Sequence, residues 1–204
     1  MKILLAFTCC GILLLAGCMV DQADELAVFE DRLLNEQAMV PFLGTYTLVD
    51  NDFGCDTGTL VLERKDDRYL LSFRYTDGQG RAGTAEGEFL LSRIPRTRII
   101  RVFATEVTLQ TQWQTILFAS PRMTFTGPIG LFGREAKEVA ENIFFLVGRQ
   151  GNRLDFWLVG LGNEMLYGCP KTGRFAAEEV KAFLAERADE YAEGSIPVFS
   201  FRKE

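Results

Sequence analysis

An alternation of apolar and polar residues with a period of two begins after Pro41, and it is the feature that most constrains the fold. Residues 68–75 show it well, because Tyr69, Leu71, Phe73 and Tyr75 share one face of an extended chain. Successive side chains of a β-strand point to opposite faces, so this pattern predicts a half-buried antiparallel strand. The longest such run covers 107–117 and predicts one long strand or two.

Further segments of this kind are separated by turn residues such as Asp66-Asp67 and Gly151-Asn152, which are typical of hairpins. The predicted strands cover 45–49, 58–64, 68–75, 85–91, 97–104, 107–117, 143–149, 153–159 and 196–201. Residues 176–192 carry Val180, Phe183 and Leu184 at helical spacing and predict one late helix. The fold class is therefore mainly β: an antiparallel barrel or sandwich of about nine or ten strands over 41–204, with the late helix and a short N-terminal helix.

Residues 120–142 interrupt the alternation. Gly127, Gly130 and Gly133 precede the charged sequence REAKEVAEN, whose composition favours helix. We expect a loop here, with one or two helical turns near Glu135–Glu141.

The first residues form a separate signal. Lys2 is followed by an uncharged, mostly apolar run over 3–15, which is too short for a permanent membrane span and fits the apolar region of a secretory signal. Leu15-Ala16-Gly17-Cys18 then resembles the lipobox of bacterial lipoprotein precursors. The resemblance implies that 1–17 is a signal peptide and that Cys18 carries acyl chains, such as palmitate, that hold the protein on a lipid bilayer. The alternative is an ordinary cleaved signal with a chance cysteine.

The resemblance also implies an address in the cell envelope. In the enterobacterial sorting scheme, Asp after the lipidated Cys retains a lipoprotein in the inner membrane, and this chain has Met19 there. For a Gram-negative host the expected location is the periplasmic face of the outer membrane. Residues 18–40 then form the lipid anchor and a spacer, in which the spacing of Leu26, Phe29 and Leu33 predicts a short amphipathic helix. A partly disordered tether is the alternative.

Beyond Cys18 the chain contains two cysteines, Cys55 and Cys169. Disulfides persist outside the cytoplasm, so an exported protein is expected to join these two. Two free thiols are the alternative.

Several chemistries are disfavoured. The chain has no His, which removes catalytic triads and His-ligated metals, and its net charge of -6 argues against a nucleic-acid partner. The acidic residues from Asp50 to Asp56 fail the EF-hand spacing, and the glycines from Gly127 to Gly133 match no phosphate-binding motif. We expect no metal, no cofactor and no catalytic residue. A hydrolase that uses carboxylates such as Glu86 and Glu88 is a remote alternative.

Aromatic residues are abundant, with 17 Phe, 5 Tyr and 2 Trp. They form either a packed core or the lining of a cavity for an apolar ligand, with Tyr69, Phe73 and Trp113 as candidate lining residues. Gly44-Thr45-Tyr46 is similar to the G-x-W start of lipocalins, with Tyr in place of Trp, which implies a lipocalin-like barrel. The expected function is a non-catalytic module that binds an apolar ligand or an envelope protein. The alternative is a structural or assembly lipoprotein with only protein partners.

Overall fold

The fold is that of a computed structural model, which describes residues 22–52, 54–95, 100–102, 105–107, 114–128, 135–158, 174–194 and 196–204. The strands are β1 (Gln22–Ala23), β2 (Gly44–Asn51), β3 (Cys55–Lys65), β4 (Arg68–Asp77), β5 (Ala82–Glu88), β6 (Leu90–Arg93), β7 (Ile100–Val102), β8 (Thr105–Val107), β9 (Gln114–Pro128), β10 (Glu135–Gln150), β11 (Arg153–Trp157), β12 (Arg174–Phe175) and β13 (Phe199–Lys203). The α-helices are α1 (Glu36–Met39) and α2 (Ala177–Gly194), and short 3-10 turns cover Glu30–Arg32 and Val40–Phe42.

Eight of the strands close into an antiparallel barrel. Their order around the ring is β2-β3-β4-β5-β9-β10-β11-β13, and β13 pairs with β2 to complete it. Each strand lies beside its predecessor among these eight in sequence, which is the up-and-down arrangement. β6 follows β5 and pairs with the adjoining part of β9. Outside the ring, β1 pairs with β10, and β12 pairs with β1. The predicted mainly β, antiparallel fold is confirmed, and it is a barrel.

The alternation read from the sequence explains the barrel wall. On β4, Leu71, Phe73 and Tyr75 are buried in the barrel core, whereas Arg74 is exposed. The predicted hairpin turns are present, and Asp66 and Gly151 have positive φ angles of 56° and 60° there. Tight hairpins match the twist of their strands through such left-handed residues, so the turn chemistry and the pleat agree.

The expected loop with helical turns is wrong for 120–128 and 135–142, and its middle, 129–134, lies outside the described residues. β9 continues to Pro128 and β10 begins at Glu135, and the two strands pair along almost their full length, from Glu135 opposite Pro128 to Arg149 opposite Gln114. The Ala, Glu and Lys residues of this segment favour helix, but intrinsic propensity is worth less than about 1 kcal/mol per residue and tertiary pairing can override it. Pairing with β9 supplies ladder hydrogen bonds that outweigh that local preference.

The predicted helical spacer over 20–40 is also wrong as a single helix. The segment contains β1, a 3-10 turn and α1 in succession, and it packs on the barrel through buried residues including Ala27, Leu34 and Met39. Phe42 follows α1 and is buried, and its carbonyl accepts a 2.8 Å hydrogen bond from the Tyr46 hydroxyl. Leu34, Met39 and Phe42 belong to the interior core and fill the barrel end at which β2 begins, which we call the plugged end, whereas Ala27 packs in the outer core.

The late helix is confirmed as α2, and it covers the outer wall of the barrel. Its buried Val180, Leu184 and Ala188 belong to a second apolar core, in which the wall residues are Leu117, Phe144, Leu146 and Trp157. Asp24 fixes the start of α2, because its carboxylate accepts a 2.8 Å hydrogen bond from the Ala177 N–H. A side chain distant in sequence thus satisfies one of the free amides of the first helical turn.

Candidate ligand chamber

A cavity of about 90 Å³ lies inside the barrel, towards the end opposite the plug, where β3 begins and β4 ends. We call it the chamber. Its lining residues come from β3, β4, β5, β9, β10, β11 and β13, and they are Cys55, Leu60, Leu71, Phe73, Tyr75, Ala85, Phe118, Met123, Phe125, Phe145, Phe156, Phe199 and Phe201. The chamber is therefore a product of barrel closure, because no single hairpin supplies its wall.

Aromatic rings form most of the lining and hold one another in place. Phe73 meets Phe199 and Phe201 edge-on, with ring centroids 5.6 Å and 5.4 Å apart. Phe156 joins Phe201 at 5.7 Å and Phe118 at 5.8 Å in the same manner. Edge-to-face pairs at these separations are favourable beyond the area they bury. The rings thus fill most of the barrel as a core and leave a defined space between them.

Two glycines on the inner wall make room for the rings beside the chamber. A Cβ atom at Gly58 would lie 2.6 Å from Phe73, and one at Gly83 would lie 2.3 Å from Tyr75. Both distances are shorter than real Cβ contacts, so the Phe73 and Tyr75 rings occupy the space that a side chain at Gly58 or Gly83 would need. Larger residues at either position would push an aromatic ring towards the chamber.

The polar groups in the described lining of the chamber are few and neutral. Burial, with help from the nearby Asp77 and Asp56 carboxylates, raises the pKa of the Cys55 thiol to about 11. Burial likewise raises the pKa of Tyr75 to about 12. Asn51 accepts the Cys55 N–H at 2.9 Å and donates to the Cys55 carbonyl at 2.8 Å, so the β2–β3 connection is held firmly at this end. Both lining groups are protonated at neutral pH.

The β4–β5 turn next to Cys55 is built around one carboxylate. Asp77 pairs directly with Cys55 across the ladder and is only 5% exposed. It accepts hydrogen bonds from the Gln79 and Arg81 amides, both at 2.9 Å, and from two nitrogens of the Arg81 guanidinium, at 2.8 Å and 2.7 Å. Hydrogen bonding to Arg81 holds the pKa of Asp77 below its ordinary value. The Asp77 carboxylate thus accepts hydrogen bonds from residues of its own turn, and these bonds fix the turn at the rim of the chamber.

Of the three residues that the sequence predicted to line a cavity, the structure places one in the chamber lining. Phe73 lines the chamber, whereas Tyr69 is half-buried nearer the plugged end, where its ring lies 6.0 Å from that of Phe89. Trp113 lies outside the described residues. The sequence did not single out Phe118, Phe145, Phe156, Phe199 or Phe201. Phe199 and Phe201 had a usable signal, because they alternate within the predicted last strand.

The remaining predicted site residues are the cysteines and the Glu86 and Glu88 carboxylates, and none of them forms a functional cluster among the described residues. Cys55 carries a free thiol in the structure, while Cys18 and Cys169 lie outside the described residues, so the lipidation and the disulfide stay predictions. Glu86 and Glu88 lie on the outer wall, and Glu88 accepts a 2.6 Å hydrogen bond from Arg68. Among the described residues, no group of three His, Cys, Asp or Glu is placed to hold a metal ion.

The fold and the chamber together define a class, a small up-and-down barrel with an apolar interior space. Comparisons with protein-family models, with curated proteins and with solved structures found no match for this chain. Within the part of the chain that the structure describes, no helix has the length and apolar character needed to cross a membrane.

Proposed function

We propose that this protein is a membrane-anchored lipoprotein of the cell envelope whose barrel binds a small apolar ligand without catalysis. The chamber is the observation that carries the proposal. Its 90 Å³ are smaller than the engineered cavity of about 150 Å³ that accepts benzene. A ligand that enters without moving side chains is therefore a very small molecule or the end of a single alkyl chain.

Energetics favour occupation of such a space. An apolar cavity lowers stability by about 24 cal/mol per Å³, so 90 Å³ left empty corresponds to about 2 kcal/mol. A ligand that makes van der Waals contact with the surrounding rings recovers part of that loss. The eight-stranded up-and-down order is one that lipocalin barrels share, and barrels of this size are wide enough for one small ligand. This supports the lipocalin-like interpretation of the Gly44-Thr45-Tyr46 sequence.

The proposed anchor places the barrel close to the bilayer. β1 begins at Gln22 and joins β10, so four residue steps separate the folded body from Cys18. Four steps of extended chain reach at most about 14 Å. Apolar molecules concentrate in the bilayer, and a barrel on so short a tether lies beside that reservoir. Because Gln22 already pairs with Ile143 of β10, the described fold begins within this reach of the proposed anchor.

The anchor is tested with Cys18→Ala, with Cys55→Ala as the matched control. Wild type and Cys55→Ala are expected to sediment with membranes and to incorporate labelled palmitate. Cys18→Ala is expected to lose the label and the acyl-dependent attachment. Membrane-bound, palmitate-labelled Cys18→Ala protein would contradict the lipobox interpretation.

The chamber is tested with two methionines in the full chain. Met123 lines the chamber, and Met39 is equally buried at the plugged end, with exposures of 3% and 1%. The chain is solubilised in a steroid detergent, which lacks a flexible alkyl chain, and its methionine methyl groups are labelled for NMR. Hexan-1-ol is expected to shift the Met123 methyl signal saturably and to leave Met39 in place. Equal shifts at both methionines, or none at either, would refute ligand binding in the chamber.

A further inference from the structure

We propose that the chamber selects its ligand by charge: it takes a single alkyl chain with an uncharged end group and rejects the carboxylate of the same length. The inference rests on the proposed function and adds the ligand's chemical class. It follows from two observations, the composition of the lining and the charges at the rim beside Cys55.

The described lining offers no cation to an anionic ligand. It consists of aliphatic and aromatic side chains, with the Cys55 thiol and the Tyr75 hydroxyl as its polar groups. A carboxylate that leaves water needs a cation or several hydrogen-bond donors to offset its lost hydration. Two neutral groups at one edge of the chamber do not meet that need. A hydroxyl or a bare methyl end loses much less hydration on entry.

The rim repels anions further. Asp56 and Asp77 flank Cys55, and both carboxylates act on its thiol by disfavouring the negatively charged form. The same field acts on any anion placed beside the thiol. Arg81 binds the Asp77 carboxylate with two guanidinium nitrogens, at 2.8 Å and 2.7 Å, so it offsets part of the Asp77 charge, and these donors are held by that carboxylate and not by a ligand. The Asp56 carboxylate therefore matters most to an anion at the rim. Arg74 is exposed on the alternate face of β4 and points away from the lining residues Phe73 and Tyr75.

The test compares hexan-1-ol with hexanoate at neutral pH, on the full chain in the same steroid detergent. The Met123 methyl signal reports binding and the Met39 methyl signal is the internal control. We expect hexanoate to bind at least tenfold more weakly than hexan-1-ol. Equal affinity for the two would overturn charge selection while leaving the chamber established as a ligand site. No response to either molecule would instead refute the proposed function.

A charge-removal pair tests the rim. Asp56→Asn removes one carboxylate beside Cys55. Asp67→Asn is the control, because it removes a carboxylate from the β3–β4 hairpin at the plugged end. The side chains of Asp56 and Asp67 are both exposed. Asp56→Asn is expected to raise hexanoate affinity about threefold with hexan-1-ol affinity unchanged, and Asp67→Asn is expected to change neither. An unchanged hexanoate affinity in Asp56→Asn, or an equal rise in both variants, would contradict the role of the rim.

Discussion

Replacing Gly58 with Ala should reduce the volume of the chamber by displacing the Phe73 ring into it. The new Cβ would stand 2.6 Å from the Phe73 ring, whereas ordinary contact begins at 3.4 Å, so the ring must move by about 0.8 Å. Tyr75, Phe199 and Phe201 hold the other sides of that ring, with centroids 5.4–5.6 Å away. The chamber is the free space that the Phe73 ring lines, and we expect the displaced ring to enter it.

The expected loss of stability is small and can be calculated. Overpacking a core costs about 1–3 kcal/mol. Replacing Gly with Ala also restricts the unfolded chain, which returns about 0.4–1 kcal/mol where the backbone angles suit Ala, and Gly58 has no positive φ. The net loss is at most about 2.6 kcal/mol and lies near 1 kcal/mol for mid-range values, which for a chain of this size lowers the Tm by up to roughly 10 °C.

The assay measures urea unfolding and the hexan-1-ol titration of Met123 on the same samples. Gly78→Ala is the matched control, because a Cβ there would meet nothing closer than 3.7 Å. Gly58→Ala is expected to weaken hexan-1-ol binding at least tenfold, and Gly78→Ala is expected to match wild type in both measurements. Wild-type affinity in a folded Gly58→Ala protein would refute the argument that this glycine keeps the chamber open.

Three further predictions follow from individual contacts. Asp24→Ala removes the cap of α2 and should lower the free energy of unfolding by about 1 kcal/mol in urea titrations, with Glu25→Ala as the neutral neighbour; equal stability in the two variants would contradict the capping role. Because the pKa of Asp77 is lowered in the folded protein, its pairing with Arg81 stabilises fully above the ordinary carboxyl pKa of about 4 and less as the pH falls through the lowered value. The stability difference between wild type and Arg81→Ala should therefore shrink in acid, and a difference that grows in acid would reverse this assignment. In reduced protein, alkylation of Cys55 followed by peptide mass spectrometry should still accelerate about tenfold between pH 9 and 10, since its pKa is about 11; a plateau near pH 9 would indicate an ordinary thiol.

The mainly β, antiparallel fold could be predicted from the sequence because the information for its strands, turns and late helix is local, whereas the choice between a barrel and a sandwich stayed open. The alternation on β4, the Asp66-Asp67 and Gly151-Asn152 turns and the helical stripe of α2 each report the structure of their own residues. The same locality misled the prediction over 120–142. There the helix-favouring residues of β10 form a strand because they pair with β9. The sequence of β10 alone does not show that β9 will lie beside it.

The chamber could be predicted only in part. Phe73 was identified from its alternation, but the space it lines depends on Gly58 of the neighbouring strand and on Phe199 and Phe201 of the last strand. Gly58 and Phe73 meet within one hairpin, but Phe199 and Phe201 reach Phe73 only after the ring closes, across more than a hundred residues of sequence. The capping of α2 by Asp24 was missed for the same reason, because it links the two ends of the chain.

The most direct test of the central claim is to identify what the purified protein carries. Wild-type and Gly58→Ala full chains are isolated in parallel in the steroid detergent, extracted into organic solvent, and their small molecules compared by mass spectrometry. We expect an uncharged, alkyl-chain compound in near-stoichiometric amount with wild type and strong depletion of that compound with Gly58→Ala. Identical extracts, or a stoichiometric anionic lipid in the wild-type sample, would contradict the central claim.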